Sequence, residues 1–149
     1  MKKLPVFLLP AVCAVFLLAA DQPKIPPMPA AVSNNAVAAL KNGLEIYSVM
    51  GIGNKKTWDD ITNKLFILRL SSGKWTEGHA IPGVAGRVGA SAVGAKGQIF
   101  VFGGYVVDGQ GNEITVPDVN SYRPEGQRWY RAADIPVPCL LYTSDAADE

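Results

Sequence analysis

Short apolar runs of about four to six residues, separated by turns rich in glycine, predict β-strands through most of this chain. In the second half, the turns at 94–97 and 124–126 carry glycine or proline where a tight turn needs them. The four runs there are 90–93, 98–102, 119–122 and 127–130. Residues 21–138 show no sustained helical period, so we expect an all-β structure.

The first half of the chain repeats this order of strands and turns. Its four runs are 37–40, 44–49, 65–70 and 74–76. Residues 46–51 match residues 99–104 at a spacing of 53, and residues 68–75 match residues 122–129 at a spacing of 54. A repeat of about 50 residues is typical of a kelch-type array.

The residues at the repeated positions resemble the kelch motif, in which a double glycine is followed by a tyrosine and then a tryptophan. The motif residues are Gly103, Gly104, Tyr122 and Trp129 in the second unit and, as a degenerate copy, Gly51 and Trp75 in the first. The resemblance implies that the glycines allow close backbone packing near a propeller axis. It also implies that the large aromatic residues fill the space between neighbouring blades.

The fold implied by this resemblance is an all-β, kelch-type β-propeller. The chain then holds about two four-stranded antiparallel blades of a larger propeller, blade 1 at 34–83 and blade 2 at 84–138. A Pro-rich entry segment, 21–33, precedes them. Because a propeller fold does not fix a function, the chemistry has to be argued from particular residues.

Residues 1–20 have the pattern of a secretory signal peptide, which we expect to be helical. Lys2 and Lys3 are followed by an uncharged, strongly apolar stretch, with cleavage expected after Ala19 or Ala20. The alternative is an uncleaved membrane anchor, for which the apolar stretch is slightly short. We therefore expect a periplasmic or secreted protein that meets a membrane only during export.

Residues 139–149 fit nothing that precedes them in the chain. They resemble one reading frame through a transposase-end adapter used in preparing sequencing libraries, and the alternative is a native polar tail. We interpret them as non-native read-through, with the gene cut at about Pro138. Both cysteines, Cys13 and Cys139, then lie outside the folded part, which can form no disulfide.

Charge and metal-binding residues exclude several classes of function. A formal net charge of +1 offers no basic face to a nucleic acid. The single histidine, His79, has no cysteine within 21–138 to join it, so we expect no metal and no cofactor. Residues 108–113 resemble a calcium loop only loosely and fit an exposed turn better. The pair Asp59-Asp60 is either an acid–base pair or, as we favour, a solvated turn.

Three residues are candidates for contact with a ligand at one mouth of the propeller channel. Tyr105 follows the double glycine, Arg87 precedes the first strand of blade 2, and a spacing of 53 maps Arg87 onto Asn34. Arg87 would offer a forked donor to a carboxylate, and Tyr105 a flat face with a hydroxyl for a sugar. The alternative for Arg87 is a solvated or blade-bridging arginine.

The leader, the Pro-rich entry and the arginine that opens blade 2 are similar to bacterial periplasmic kelch proteins of the N-acetylneuraminate epimerase (sialic-acid mutarotase) family. The resemblance implies proton transfer at the anomeric and ring oxygens without a metal, by catalytic residues in later blades that this chain does not contain. One alternative is a non-catalytic propeller that binds a carbohydrate or a protein. Another is a copper enzyme similar to galactose oxidase, which would need a cysteine and histidines further downstream.

We predict that residues 21–138, expressed alone, are poorly soluble and inactive. A propeller needs about four to eight blades to close, so two blades leave one apolar inter-blade face bare. Soluble expression followed by thermal unfolding checks this. Soluble material that unfolds cooperatively would contradict the prediction.

Overall fold

The computed structural model describes residues 25–137, and it shows two four-stranded antiparallel sheets and one small hairpin. The first sheet contains β1 (Ala36–Leu40), β2 (Glu45–Val49), β3 (Leu65–Arg69) and β4 (Lys74–Gly78), in that spatial order. The chain continues through β5 (Ser91–Ala95), β6 (Gln98–Phe102), the hairpin strands β7 (Tyr105–Val107) and β8 (Glu113–Thr115), β9 (Val119–Arg123) and β10 (Arg128–Arg131). The second sheet has the order β5-β6-β9-β10.

All eight strands predicted from the sequence have a counterpart whose bounds differ by one or two residues. Two elements were not predicted, namely the β7–β8 hairpin and a 3₁₀ helix at Trp58–Asp60, both in segments expected to be loops. The predicted signal peptide at 1–20 and the predicted non-native tail at 139–149 lie outside the described residues. Within residues 25–137, no helix has the length and apolar character needed to cross a membrane.

The two sheets share a register but differ in the turn between their first two strands. In the first sheet Ala36 pairs with Val49, and in the second sheet Ser91 pairs with Phe102. The second strands are therefore 53 residues apart, whereas the first strands are 55 residues apart. The cause is the β1–β2 turn, which is two residues longer than the β5–β6 turn.

This difference corrects one equivalence that the repeat spacing suggested. The register of the first strands aligns Asn34 with Gly89, and it aligns Arg87 with Val32 rather than with Asn34. Asn34 and Gly89 also share a left-handed backbone, with φ of 52° and 65°. Arg87 and Asn34 therefore do not occupy matching places in the two sheets.

The hydrophobic core lies between the two sheets. From the first sheet, Tyr47 and Val49 contribute side chains that are at most 1% exposed, and from the second sheet Ile99, Val101 and Tyr122 do the same. The rings of Tyr47 and Tyr122 meet across the interface with their centroids 6.1 Å apart. Burial of this apolar surface holds the two sheets together.

Each sheet carries one tryptophan on its fourth strand that fastens the chain entering that sheet. The indole N–H of Trp75 donates to the carbonyl of Pro26 at 3.0 Å. Trp129 makes the same kind of bond to the carbonyl of His79, at 2.6 Å. Trp129 also packs on Tyr122, with ring centroids 5.0 Å apart. Both tryptophans are therefore packing residues, as the resemblance implied.

A buried carboxylate lies at the turn end of the core. Glu45 is 6% exposed and accepts hydrogen bonds from the Tyr47 hydroxyl at 2.7 Å and from Lys41 at 2.9 Å, while Arg69 lies 3.4 Å away. Burial raises the pKa of Glu45, but the two hydrogen bonds and the charges of Lys41 and Arg69 outweigh it and hold the pKa below its ordinary value. Burial and the bond to Glu45 raise the pKa of Tyr47.

We predict that Gly94→Ala destabilises the fold by about 1–3 kcal/mol. A Cβ on Gly94 in β5 would lie 2.0 Å from the carbonyl oxygen of Ala39 in β1, so the two innermost strands would have to separate. Gly126→Ala is the matched control, because its Cβ meets only the Arg128 side chain, at 3.8 Å. Differential scanning fluorimetry on the longest soluble form of the protein measures both, and equal melting temperatures would contradict the prediction.

We predict that Glu45→Gln lowers the free energy of unfolding at neutral pH by about 1–3 kcal/mol and makes stability less sensitive to acid. Since the folded state lowers the pKa of Glu45, its contribution is fully present above the ordinary carboxyl pKa. It is lost as the pH falls through the lower, folded-state value. Denaturant unfolding between neutral and acidic pH measures this.

The control for that experiment is Glu77→Gln, because the Glu77 carboxylate pairs with Lys64 at 3.2 Å on the exposed surface. We expect this variant to be within about 0.5 kcal/mol of the parent. Parallel pH profiles for the parent and Glu45→Gln would overturn the assignment.

Candidate functional site

A pocket of about 350 Å³ opens between the two sheets, at the end where β2 and β6 finish. The side chains that face it with polar or aromatic groups are Asn34, Lys56, Trp58, Tyr105 and Glu113. We call it the inter-sheet pocket. It brings together two of the three ligand candidates predicted from the sequence, Asn34 and Tyr105, although the strand register shows that the argument linking Asn34 to Arg87 was wrong.

The walls of the inter-sheet pocket are set by two isolated backbone bridges. Ser33 and Ile52 exchange N–H to carbonyl bonds of 2.9 Å in both directions. Val88 and Tyr105 do the same in the second sheet, with both bonds at 3.0 Å. Each bridge joins the residue ahead of a first strand to the residue beyond a second strand. Both sheets are thereby prolonged into the loops that form the pocket.

These bridges require glycine at the turn that leads into them. Gly104 has φ of 85°, and a Cβ on it would lie 2.9 Å from the carbonyl oxygen of Val88. Gly51 has φ of 108°, and its Cβ would lie 2.7 Å from the carbonyl oxygen of Ser33. A side chain at either position would clash with the backbone. The double-glycine motif therefore positions Tyr105 at the inter-sheet pocket.

Tyr105 begins the β7–β8 hairpin, whose turn is built by Asp108. The Asp108 carboxylate accepts backbone N–H bonds from Gln110 and Asn112, both at 2.9 Å, and a side-chain bond from Asn112 at 2.8 Å. The bonds from Asn112, followed by those from neighbouring backbone, lower the pKa of Asp108. Its oxygens thus stabilise a turn, which confirms the turn interpretation of residues 108–113 over a calcium loop.

Two pocket residues were missed when the sequence was interpreted. Trp58 is 54% exposed and stands on the 3₁₀ helix beside the pocket, with Gly109 of the facing hairpin close enough that a Cβ there would lie 3.7 Å from the indole. Lys56, which the sequence suggested was simply solvated, donates to the Ser33 hydroxyl across the pocket wall. The available signal was a tryptophan outside the repeated tryptophan positions.

Arg87 does not line the inter-sheet pocket. Its side chain is 0% exposed and donates to the carbonyls of Gly103 and Asp118 and to the Asn120 side chain. Burial lowers the pKa of Arg87, and the nearby charge of Asp118 partly opposes this. The structure therefore places Arg87 inside the second sheet and its loop, which is the bridging alternative that the sequence left open.

The acidic pair Asp59-Asp60 forms part of its own loop. Asp60 accepts the backbone N–H of Lys55 at 2.7 Å, and Asp59 accepts the hydroxyl of Thr57 at 2.5 Å, a bond that lowers the pKa of Asp59. Both residues border a second, more open cavity of about 650 Å³. Within residues 25–137, no group of three or more histidine, cysteine, aspartate and glutamate side chains is placed to hold a metal ion.

The inter-sheet pocket combines two aromatic rings with an amide, an ammonium group and a carboxylate. Trp58 and Tyr105 offer flat apolar faces, Asn34 offers both donor and acceptor groups, and Lys56 and Glu113 add one charge of each sign. Such a mixture suits a ligand with apolar C–H faces and many hydroxyl groups. The strength of the site lies in recognition, because it holds no desolvated acid or base among the described residues.

Comparison with known proteins supports the fold and leaves the activity open. No family model matches the sequence, and no curated protein matches it. The solved structure of YjhT is similar, with a TM-score of 0.60 and 24% identity over 78% of this chain. The match covers 32% of the YjhT chain, so this chain spans about a third of that structure. With the two antiparallel sheets, this likeness supports a kelch-like β-propeller fold.

Proposed function

We propose that this chain forms part of an exported kelch-type propeller that binds a sugar in the inter-sheet pocket, as a sialic-acid-type mutarotase or epimerase. The observation that carries the proposal is the position of Trp58 and Tyr105, which come from different sheets and border the same pocket. The resemblance of the sequence to the N-acetylneuraminate epimerase family supports the choice of sugar. The pattern of residues 1–20 supports the periplasmic or secreted location.

The pocket chemistry suits a sugar ring because a ring has two kinds of surface. Its axial C–H groups form apolar patches that pack against indole or phenol faces, and such contacts contribute about 0.5–1.5 kcal/mol each. Its hydroxyl groups need donors and acceptors, which Asn34, Glu113 and the Tyr105 hydroxyl can supply. Lys56 adds a positive charge that favours an acidic sugar over a neutral one.

The proposed reaction needs a proton acceptor and a proton donor at the anomeric and ring oxygens. It needs no metal, and it moves one proton to the ring oxygen while another leaves the anomeric hydroxyl. We propose that these groups come from residues outside this chain. The role of the inter-sheet pocket would be to hold and orient the sugar so that the proton transfers take place at its far side.

A non-catalytic carbohydrate-binding propeller is the second candidate. It is favoured by the same pocket, since every side chain identified there serves recognition and the described residues contain no buried acid–base pair facing it. The two candidates differ in whether the anomers of the sugar interconvert faster than they do unaided. The rate of interconversion therefore separates them.

We predict that the protein from the complete gene accelerates the α-to-β interconversion of N-acetylneuraminate, followed by proton NMR. Trp58→Ala and Tyr105→Phe should each weaken binding by about fivefold, equivalent to about 1 kcal/mol, by removing a ring contact and a hydroxyl. Tyr130→Phe is the matched control, because Tyr130 lies on β10 under Arg123, with 4.7 Å from the guanidinium to the ring centroid. It should change nothing.

The outcomes of this experiment separate the candidates. Binding that depends on Trp58 without faster interconversion would favour the non-catalytic propeller over the mutarotase. Neither binding nor rate enhancement by the intact protein would overturn the proposal. Equal effects of Tyr105→Phe and Tyr130→Phe would show that the sugar binds elsewhere.

A further inference from the structure

We infer that Arg87 is a positioning residue, a buried clamp that closes the loop of residues 103–118 and thereby holds Tyr105 at the inter-sheet pocket. This inference differs from the role that the sequence suggested, in which Arg87 itself contacts a carboxylate. Its structural part stands on geometry alone, and only its consequence for ligand binding rests on the proposed function.

The guanidinium joins the two ends of the loop. Nη1 donates to the carbonyl of Gly103 at 2.8 Å and to the carbonyl of Asp118 at 3.1 Å. The same Asp118 carbonyl also accepts the backbone N–H of Gly103, at 2.9 Å. The positions at which the chain leaves β6 and returns to β9 are therefore fixed against one another by three hydrogen bonds, two of which come from Arg87.

The other end of the guanidinium anchors the clamp in the sheet. Nη2 donates to Oδ1 of Asn120 at 2.8 Å, and Asn120 on β9 is 3% exposed. Arg87 itself is 0% exposed, and Nε is without an acceptor among residues 25–137. A buried cation bonded to three oxygens is costly to displace. A ligand in the pocket would have to break this arrangement in order to reach the guanidinium.

The clamp acts on Tyr105 from two sides. The Arg87 side chain holds Gly103, two residues before Tyr105, and the backbone of the next residue, Val88, exchanges two bonds of 3.0 Å with Tyr105. The dipeptide Arg87-Val88 therefore grips both ends of the turn 103–105. Movement of the guanidinium would release the turn that carries the tyrosine.

The first sheet has no such clamp, which separates the role of Arg87 from the general requirements of the fold. The equivalent position is Val32, and the loop there is closed by backbone bonds alone, from Met50 to the carbonyl of Lys64 and from Thr62 to the carbonyl of Gly51, both at 2.9 Å. A loop of this kind can close without an arginine. The arginine is therefore an addition specific to the loop that carries Tyr105.

Hydrogen exchange followed by mass spectrometry tests the clamp in the protein from the complete gene. In Arg87→Gln, we expect amides in residues 103–118 to exchange at least about tenfold faster, while β1–β4 are unchanged. Arg87→Lys, which keeps the charge but cannot bridge all three oxygens, should give a smaller effect. Arg123→Gln is the control, since Arg123 is exposed and contacts only the Tyr130 ring among the interactions described.

A milder variant keeps the test decisive if both substitutions at Arg87 prevent folding. Asn120→Ser removes the acceptor for Nη2 and leaves both loop carbonyls in place. It should accelerate exchange in residues 103–118 by about two- to fivefold. Unchanged exchange in this loop for any folded variant of Arg87 or Asn120 would overturn the inference.

Binding measurements distinguish positioning from direct contact. The probes are N-acetylneuraminate and its neutral methyl ester, titrated into the intact protein and into Arg87→Gln. If Arg87 positions Tyr105, the substitution weakens both probes by the same factor, and Tyr105→Phe weakens binding less in the Arg87→Gln background than in the parent. Loss of affinity for the acid alone would show that Arg87 contacts the carboxylate and would overturn the inference. If neither probe binds the parent, the proposed function fails, and the exchange result alone decides the clamp.

Discussion

The structure depends on how closely the two sheets approach one another at their innermost strands. Gly94 in β5 lies so near Ala39 in β1 that a single added carbon would overlap the carbonyl oxygen. This contact fixes the separation at which Tyr47 and Tyr122 meet across the interface. Every feature between the sheets, including the core and the inter-sheet pocket, inherits its dimensions from that distance.

Beyond the ends of the strands, the same separation is kept by backbone pairing instead of side-chain packing. The bridges Ser33–Ile52 and Val88–Tyr105 continue the sheets past the point where the ladders end. They exist because the chain can adopt positive φ just before them, at the glycine positions of the repeat. The degenerate repeat keeps this conformation even at Met50, a non-glycine residue with φ of 61°. The geometry of the pocket thus follows from the constraint that the repeat imposes on the backbone.

The strands could be predicted from the sequence because each is a short apolar run bounded by turn residues, and because the two units support one another. The site was harder to predict, since it depends on distances that spacing does not encode. The equivalence of Arg87 with Asn34 failed because a turn two residues longer lies between the strands used to count. Trp58 was overlooked because its loop has no repeated pattern, and the pocket forms only when that loop meets the β7–β8 hairpin.

The faces of the second sheet show the same division between packing and recognition. Its inner face carries Tyr122 against the first sheet, whereas its outer face exposes Val93 by 48% and Tyr130 by 42%. The register aligns Val93 with Ala38, which the first sheet buries against the second. A position that is buried in one unit and open in the next is what a stacked array produces, because each unit covers only the face of its neighbour. Recognition in such an array is therefore assigned to the loops at the strand ends, where Tyr105 and Trp58 face each other without being needed for stacking.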